Sequence, residues 1–373
     1  MERKKTGPLK IAMIGHKRVP GGEGGVEVVV EELAVRMAAQ GHQVTLYNRA
    51  GGQGPRLREY KGCRIITVPT LNKKSLDALI YSFLAAVRSL FGGYDLWHFH
   101  ALGPSVMLLL PHLLGKRTVA TVHGLDWQRA KWGGLGTRYL QLGERVIARY
   151  ADEVIVLSRG VQEYFWETYG RKTTLIPNGV NLPQPLPPRL IREEYGLEKG
   201  RYILFLARIV PEKGLHYLLD AFEKLDTDCK LVIAGGDSHS GGYCEQVLAR
   251  AARDERVVLT GFVQGEKKQE LFSNCGLYVL PSDIEGMPIS LLEAMSYGAP
   301  CLVSDIEENT QVLGSYGARF RKGDPEDLRR ALAQALTQPP PAGREQQEYI
   351  QREYSWDRVV EETLALYRGN KQE

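Results

Sequence analysis

Two cations lie five residues apart in the second half of the chain, directly after a short apolar run. Arg208 ends that run, Lys213 follows across a Pro-Glu turn, and a helix is predicted from Gly214. A guanidinium can make forked contacts to phosphate oxygens, and an ammonium adds a compact charge beside them. The spacing indicates a clamp for a diphosphate, although a basic surface turn would give the same pattern.

A second segment of the same half carries two carboxylates with seven residues between them. Glu285 precedes a predicted helix, for which Pro288 suits the first position, and Glu293 lies about one turn inside it. The backbone of the loop would offer groups for a phosphate or a sugar, and the carboxylates would accept from vicinal hydroxyls. The loop residues concerned are Gly286, Met287, Pro288 and Ile289. Two alternatives remain: a helix-dipole charge at Glu293, and a hydrolase pair, which a helical separation of roughly 12 Å disfavours.

The loop after the first predicted strand is rich in glycine and leads directly into a helix. Gly22, Gly24 and Gly25 would let the backbone approach a ligand phosphate at the helix N-terminus. No Gly-Lys-Ser/Thr ends this loop, so it is not a Walker A motif. Glu27 and Asn48 stand where a dinucleotide-binding fingerprint requires a glycine and an acid, which argues against an NAD-dependent oxidoreductase.

His123, followed by Gly124, ends another strand-like run and is a candidate active-site residue. A lone histidine is more often structural, so the assignment of His123 to a site depends on its position in the chain relative to the other motifs. His16, Asp126 and Trp127 occupy loops beside these strand ends, and we predict that they contact the acceptor.

The elements that must position these residues alternate regularly between strands and helices. Apolar runs such as Leu9–Ile14 and Tyr202–Ala207 alternate with helical patterns, which predicts parallel sheets covered on both faces. The segment Asn181–Arg189 holds four prolines and predicts a domain boundary. His98 and His100 lie near the end of another predicted strand. We predict a packing role for His98 and leave the role of His100 open.

Composition is that of an ordinary globular protein, with 43% hydrophobic and 25% charged residues. The five cysteines are scattered and form no Cys-x-x-Cys, which argues for small buried side chains in a reducing compartment. The N-terminus lacks the apolar core of a signal peptide, and Leu76–Phe91 is short for a membrane span. We expect no transmembrane segment, no metal site and a cytoplasmic protein.

Charge is unevenly distributed along the chain. Residues 1–180 hold 25 lysines and arginines against 14 acidic residues, and the remainder holds 23 against 30. A basic first half could attract an anionic membrane or a lipid-phosphate acceptor at the inner membrane face, with the amphipathic Leu76–Phe91 as a contact. The alternatives are a solvated surface and a buried helix. We expect no nucleic-acid partner.

Taken together, these motifs resemble the retaining family 4 glycosyltransferases with the GT-B fold, over nearly the whole chain. The softer match His123–Gly133 is similar to the bacterial polysaccharide branch. The motifs that carry the resemblance are Gly25-Val26-Glu27, His123-Gly124, Ile176-Pro177-Asn178-Gly179-Val180, Arg208…Lys213-Gly214, Leu259-Thr260-Gly261-Phe262-Val263 and Glu285-x7-Glu293.

The resemblance implies an α/β fold of two Rossmann-like domains with parallel sheets facing each other across a cleft. An N-terminal acceptor domain would span residues 1–182, and a C-terminal donor domain 183–354. The last helix, 355–373, would pack back on the N-terminal domain.

The resemblance also implies a role for each matching position. Arg208 and Lys213 would hold the donor diphosphate, Glu293 the ribose, and Glu285 with the Gly286–Ile289 loop the donor sugar. Phe262 and Val263 would meet the base, and His123 would lie beside the transferred sugar. The first-loop glycines would approach the phosphate.

The implied reaction is transfer of a hexosyl or deoxyhexosyl group with retention of anomeric configuration, without a metal or a resident cofactor. The donor would be a UDP-sugar in the first instance, with dTDP and GDP as alternatives, and the acceptor a glycan, lipid-linked or small molecule. Asn181, where many members have Asp, and the long glycine loop depart from the family pattern. A sugar-nucleotide epimerase and an inactive relative of the same fold are the rival interpretations.

Overall fold

The computed structural model describes most of the chain and divides it into two compact units. Unit 1 comprises residues 1–128, 132–179 and 356–373, and unit 2 comprises 129–131 and 180–355. The described residues are 7–21, 24–51, 56–70, 77–129, 132–236 and 242–369. Gly22 of the predicted phosphate loop and Leu76 of the predicted amphipathic segment therefore lie outside them.

Unit 1 is built on an eight-stranded sheet in the order β3-β4-β2-β1-β5-β6-β7-β8. Its strands pair in parallel except for β3, which is antiparallel to β4. The strands are β1 Lys10–Ile14, β2 Gln43–Arg49, β3 Glu59–Tyr60, β4 Cys63–Val68, β5 Leu96–His100, β6 Arg117–Val122, β7 Glu153–Val156 and β8 Thr174–Leu175. The helices are α1 Gly25–Ala39, α2 Asp77–Ser89, α3 Leu109–Leu113, α4 Leu135–Tyr150 and α5 Arg159–Tyr169.

The central strands of unit 1 are buried on both faces, as their apolar sequence requires. All five residues of β5 are buried, although two of them are histidines. Helix α5 begins at a Ser158 cap, whose hydroxyl accepts from the amide of Val161 at 3.4 Å, and the sequence analysis did not predict this helix. Chain order reverses between β1 and β5, and Gly15 lies at that point. A Cβ there would lie 2.1 Å from the carbonyl oxygen of His100, so only glycine fits.

Unit 2 contains a six-stranded parallel sheet in the order β11-β10-β9-β12-β13-β14. The strands are β9 Tyr202–Leu206, β10 Lys230–Ala234, β11 Val257–Gly261, β12 Leu277–Leu280, β13 Cys301–Ser304 and β14 Ala318–Phe320. The helices are α6 Leu190–Tyr195, α7 Leu215–Phe222, α8 Tyr243–Ala251, α9 Gly265–Asn274, α10 Ile289–Ser296, α11 Glu307–Leu313, α12 Pro325–Thr337 and α13 Arg344–Tyr354.

The strand order of unit 2 explains how distant motifs converge. Strand β9 pairs with both β10 and β12, so the loops after β9 and β12 leave neighbouring strands at the same edge. Pro288 was predicted as the first helical residue of α10, but it caps the helix from outside with ψ 87°, and the helix begins at Ile289. The prediction was one residue early because a proline also satisfies the cap position, where no backbone donor is needed.

The last helix, α14 Trp356–Tyr367, belongs to unit 1 and packs against α1. Arg36 of α1 forms an ion pair with Asp357 at 2.6 Å. Gly179 lies directly against Trp356, since a Cβ at Gly179 would come within 2.6 Å of the indole. Four of the cysteines are buried, whereas Cys229 is half-buried and departs from the expectation of uniform burial.

The fold class predicted from the sequence is confirmed in its architecture, because each unit is a parallel-sheet α/β domain of the Rossmann-like kind. No helix among the described residues is long and apolar enough to cross a membrane.

Candidate functional site

In unit 2 the two loops that carry the predicted donor residues meet at one edge of the sheet. Lys213 lies in a short 3₁₀ turn after β9, and Glu285 lies in the loop after β12. Their side chains form an ion pair, and the hydroxyl of Ser282 donates to the same carboxylate at 2.7 Å. The Lys213 and Glu285 side chains are only 13% and 6% exposed, so the pair is largely shielded from water.

Burial has an electrostatic consequence for Lys213. It lowers the pKa of the ammonium, and the neighbouring Glu285 carboxylate opposes that shift by favouring the charged form. A buried cation of this kind is stable only while a negative partner stays beside it. A phosphate group would offer the same partner chemistry as Glu285.

A close backbone approach holds the Lys213 turn in place. Gly214 has φ 68°, and a Cβ there would lie 1.9 Å from the carbonyl oxygen of Pro281. The amide of Asp283 also donates to the carbonyl of Glu212 at 2.9 Å. The loops after β9 and β12 are therefore fixed to each other by backbone contacts as well as by the ion pair.

The start of α10 is fixed by a side-chain bond from the adjoining strand. The Tyr278 hydroxyl of β12 donates to the Ser290 hydroxyl at 2.8 Å. The residues before the helix, Gly286, Met287 and Pro288, are buried. One turn into α10, Glu293 accepts a charge-assisted hydrogen bond from Lys268 of α9 at 2.7 Å. The sequence analysis missed both Lys268 and Ser282, since nothing in their local sequence points to these partners.

The predicted base-binding residues follow β11. Phe262 exposes 56% of its surface, which is unusual for a large aromatic residue, whereas Val263 is buried. Gly236, two residues beyond β10, lies beside Phe262, with a Cβ position 3.8 Å from the phenylalanine Cβ. Arg208, half-buried, begins the loop after β9. Arg208, Lys213, Phe262, Glu285 and Glu293 thus all lie at or just beyond the carboxyl edge of one parallel sheet, where such sheets bind ligands.

In unit 1 three histidines, His16, His100 and His123, lie at or just after the carboxyl ends of β1, β5 and β6, and His98 lies in the middle of β5. His100 Nδ1 and His123 Nε2 form a hydrogen bond of 3.1 Å. The rings of His98 and His100 are 4.0 Å apart between centroids. Burial holds the pKa of His98 at about 3, that of His16 at about 4, and that of His100 well below its ordinary value. These three side chains are therefore neutral at physiological pH.

His98 has partners on both ring nitrogens. Its Nδ1 bonds the Tyr367 hydroxyl of α14 at 2.5 Å, and its Nε2 bonds the Thr121 hydroxyl at 2.7 Å. The predicted packing role of His98 agrees with these contacts. His100, which the sequence left open, adjoins His123 directly and has a buried Nε2 without a hydrogen-bond partner among the described residues.

The residues predicted to contact the acceptor differ in their burial and in their hydrogen-bond partners. His16 is fully buried and bonds the Asn48 side chain at 2.9 Å, so it holds the loop rather than presenting a polar edge to solvent. Trp127 donates from its indole to Glu144 of α4 at 2.7 Å, and Asp126 precedes it in a 3₁₀ turn. Gly24 caps α1 and Gly25 opens it.

Among the described residues, no group of three or more His, Cys, Asp and Glu side chains is arranged to hold a metal ion. Two cations of the candidate site in unit 2 are instead paired with carboxylates, Lys213 with Glu285 and Lys268 with Glu293. Such a site suits an organic ligand that carries both phosphate and hydroxyl groups.

Two parallel α/β domains with cations, carboxylates and a helix N-terminus at a strand edge define a class of proteins that bind phosphorylated ligands. Comparison with known families makes the assignment specific. The family described as Glycosyltransferase Family 4 matches residues 23–184, and that described as Glycosyl transferases group 1 matches residues 189–356. The chain therefore belongs to the glycosyltransferases that these two descriptions name.

Individual relatives agree with this assignment. An uncharacterized glycosyltransferase of Methanocaldococcus jannaschii is 25% identical over 96% of this chain and 98% of its own length. An uncharacterized glycosyltransferase of Bacillus subtilis is 31% identical over 57% of this chain and 58% of its own. A D-inositol 3-phosphate glycosyltransferase of Stackebrandtia nassauensis is 25% identical over 98% of this chain and 92% of its own length.

Solved structures are similar in fold at lower identity. A sucrose-phosphate synthase of Thermosynechococcus elongatus has a TM-score of 0.84 and 22% identity, covering 97% of this chain and 98% of its own. HepE of Anabaena, solved with UDP and glucose, has a TM-score of 0.78 and 18% identity, covering 97% of this chain and 100% of its own. These likenesses establish the GT-B fold class of the domains.

Proposed function

We propose that this glycosyltransferase moves a hexosyl or deoxyhexosyl group from a nucleoside-diphosphate sugar to a glycan, lipid-linked or small-molecule acceptor, with retention of anomeric configuration. A UDP-sugar is the first choice of donor, with dTDP- and GDP-sugars next. The observation that carries the proposal is the buried Lys213–Glu285 pair beside the start of α10, with Glu293 one turn into that helix. The UDP and glucose found with HepE support the choice of donor class.

The proposed chemistry assigns a task to each group. Lys213 and Arg208 bind the diphosphate and stabilise the negative charge that grows on it as the bond from the anomeric carbon to the phosphate oxygen breaks. The acceptor oxygen forms its bond on the same face of the sugar, and its proton passes to the leaving phosphate oxygen. Glu285 and the Gly286–Ile289 backbone hold the sugar hydroxyls, and His123 contacts the transferred sugar.

The remaining contacts complete the proposed donor site. Glu293 accepts from the ribose hydroxyls, Phe262 and Val263 contact the base, and the Gly24–Gly25 backbone approaches the phosphate. No metal or resident cofactor takes part, because cations and helix amides supply the charge stabilisation. We place the protein in the cytoplasm, with a peripheral contact at the inner face of the membrane.

The first test is a thermal-shift titration against UDP, dTDP, GDP and NAD, carried out both with and without EDTA. A ligand that binds only the folded state adds about 2.7 kcal/mol at one hundred times its dissociation constant. We expect a shift with one nucleoside diphosphate and none with NAD. A shift with NAD alone would contradict the proposal, and a nucleotide shift abolished by EDTA would contradict metal independence.

The second test is transfer itself, followed by NMR of the anomeric proton of the product. We expect the donor's configuration to be kept, and His123→Ala to reduce turnover far more than donor binding. His112→Ala, at a half-buried histidine of α3, is the matched control. Inverted product would refute retention, and equal loss of turnover and binding in His123→Ala would make that residue structural. Release of free sugar or an epimerised nucleotide sugar without transfer would favour the rival activities.

A further inference from the structure

Large apolar side chains are exposed on three neighbouring helices of unit 1. They are Phe83 of α2, Phe91 in the turn after it, Leu113 and Leu114 at the end of α3, and Leu142 of α4. Phe91 exposes 84% of its surface and Leu113 76%. None of the five belongs to the buried core of the unit. Exposed apolar side chains that cluster on one surface indicate a contact with a partner.

These side chains share one surface because their helices lead into neighbouring strands. Helices α2, α3 and α4 precede β5, β6 and β7, which pair in parallel in that order, so the helix ends lie side by side. Helix α3 packs against both α2 and α4. The rings of His112 and Tyr150, at the ends of α3 and α4, lie 5.4 Å apart. We call the second halves of α2 and α4, with the end of α3, the α2–α4 surface.

The α2–α4 surface also carries four cations. They are Arg88 of α2, Lys116 after α3, and Arg145 and Arg149 of α4. All four are exposed, and none forms an ion pair with another residue of the described part of the chain. The Arg149 guanidinium lies 5.7 Å from the centre of the Tyr150 ring, a contact that leaves its charge in place. The positive charge of this surface is therefore available to a partner.

The carboxylates nearest to these cations are occupied within the sheet and the core. Asp77 of α2 is paired with Arg49 at 2.6 Å. Glu144 of α4 is buried and accepts hydrogen bonds from three aromatic side chains. Asp95 and Asp152, in the turns after α2 and α4, accept from backbone amides of β1 and β6 at 2.8 Å and 2.7 Å. The four cations thus remain in excess on the outer side of the helices.

An anionic lipid bilayer matches both properties of the surface. Lipid phosphates attract arginine and lysine side chains, and the boundary of the acyl chains accepts phenylalanine and leucine. A nucleic acid would use the cations but would gain nothing from the exposed leucines. A second copy of the same surface would place cations against cations. The surface ends at α5, which packs against α4 and exposes Glu163 and Glu167.

We propose that the α2–α4 surface docks unit 1 on the anionic face of a lipid bilayer. The proposal identifies the residues that make the peripheral membrane contact, and its link to a lipid-linked acceptor rests on the proposed glycosyltransferase function. The surface does not include the carboxyl ends of β5 and β6, where His100 and His123 lie. A chain docked in this way keeps that edge of the sheet uncovered for the acceptor.

The primary test is sedimentation of the full chain with mixed phosphatidylglycerol–phosphatidylcholine vesicles and with vesicles of phosphatidylcholine alone. We expect binding to the mixed vesicles to be much tighter and to weaken as salt rises. Arg145→Gln/Arg149→Gln should lower the partition coefficient about twentyfold, because each cation near an anionic membrane contributes about fivefold. Arg58→Gln/Arg64→Gln removes two exposed cations before β3 and in β4. This charge-matched control should leave vesicle binding unchanged.

A second pair of variants tests the apolar half of the surface. Leu113→Ser/Leu114→Ser should weaken vesicle binding severalfold at a salt concentration that screens the cations, because less apolar area enters the membrane. Trp166→Ser is the control, since Trp166 is an exposed aromatic residue on the acidic helix α5. It should change nothing.

Three results would overturn the proposal. The first is wild-type vesicle binding that neither surface variant reduces. The second is an equal loss in the surface variants and their controls. The third is binding of double-stranded DNA that depends on Arg145 and Arg149, without any binding of the mixed vesicles. Because all the substituted side chains are exposed, circular dichroism should show each variant to be folded.

A nucleotide titration of the same variants separates this proposal from the function on which it rests. Arg145→Gln/Arg149→Gln should keep the nucleotide-induced thermal shift of the wild type. If no nucleotide binds the wild type while arginine-dependent vesicle binding persists, the transferase proposal fails and the docking surface stands. If a nucleotide binds and vesicle binding is absent or independent of these arginines, the docking surface fails and the transferase proposal stands.

Discussion

The strand ends of the two units use opposite electrostatic arrangements. In unit 2 the charged residues are paired, Lys213 with Glu285 and Lys268 with Glu293. In unit 1 the titratable groups at the β5 end are imidazoles that burial keeps neutral, and His98 shows the effect with a pKa of about 3. The same type of sheet edge therefore presents charge in one unit and neutral hydrogen-bonding groups in the other.

This difference indicates which sheet edge can stabilise the negative charge of a departing diphosphate. The Lys213 ammonium is already charged and shielded from water, so it can contact a phosphate without a further loss of its own hydration. Neutral imidazoles cannot offset a full negative charge, but they can hydrogen-bond hydroxyl groups. The four experiments below test this contrast, in order of decreasing expected effect.

The largest effect is expected at the Lys213–Glu285 pair. Lys213→Ala should lower transfer by about 10²–10³-fold, because one preorganised contact to developing charge is worth about 2.7–4 kcal/mol. Steady-state kinetics with the identified donor measures the loss. Lys224→Ala, which removes an exposed partner of Glu326, is the control and should leave the rate unchanged. A loss below threefold in Lys213→Ala would remove the pair from the mechanism.

The next effect is on stability, at the contact that fixes the Lys213 turn. Gly214→Ala should lower the free energy of unfolding by more than about 2 kcal/mol, since strained backbone costs about 1–3 kcal/mol and the new Cβ would meet the Pro281 carbonyl. Gly200→Ala is matched in φ at 75° but meets nothing within 4 Å, so it should cost less. Urea unfolding measures both variants, and equal costs would show that the close approach contributes nothing.

A smaller effect is expected at Glu293. Glu293→Gln should weaken nucleotide binding by about tenfold, because a hydrogen bond to a charged group is worth about 1.5–3 kcal/mol. Isothermal titration with the preferred nucleoside diphosphate measures this change. The 2′-deoxy analogue should bind the variant and the wild type with similar affinity. If Glu293→Gln discriminates between ribose and deoxyribose as strongly as the wild type, Glu293 does not bind the ribose.

The smallest effect concerns the neutral histidines of unit 1. Folding keeps His16 and His98 unprotonated, with pKa values of about 4 and 3, whereas the unfolded chain takes up protons below about 6.5. The free energy of unfolding should therefore fall as pH drops from about 6.5 towards 4.

Replacement of one of these histidines sharpens the test. His98→Gln should reduce the pH dependence of the free energy of unfolding between pH 6.5 and 4, measured by urea unfolding at each pH. A His98→Gln slope equal to that of the wild type would mean that His98 is not kept neutral by the fold.

Much of the fold followed from the sequence, with identifiable exceptions. Apolar runs and helical periodicity predicted the alternation around β1 and β9 to within a few residues, because buried parallel strands need continuous apolar segments. Helix α5 was missed because its N-cap serine and aromatic residues give a weak apolar period. Short edge strands such as β3 and β14 lack the length that a pattern requires.

The sequence by itself determined which groups are available for chemistry, since residue types and spacing identified Lys213, Glu285, Glu293 and His123. Only the tertiary structure decided their partners. Lys213 meets Glu285 72 residues away because β9 and β12 are neighbours, and His98 meets Tyr367 269 residues away because α14 packs in unit 1. Local periodicity fixes which side of a strand a residue occupies, but the order of strands in a sheet depends on packing among distant segments.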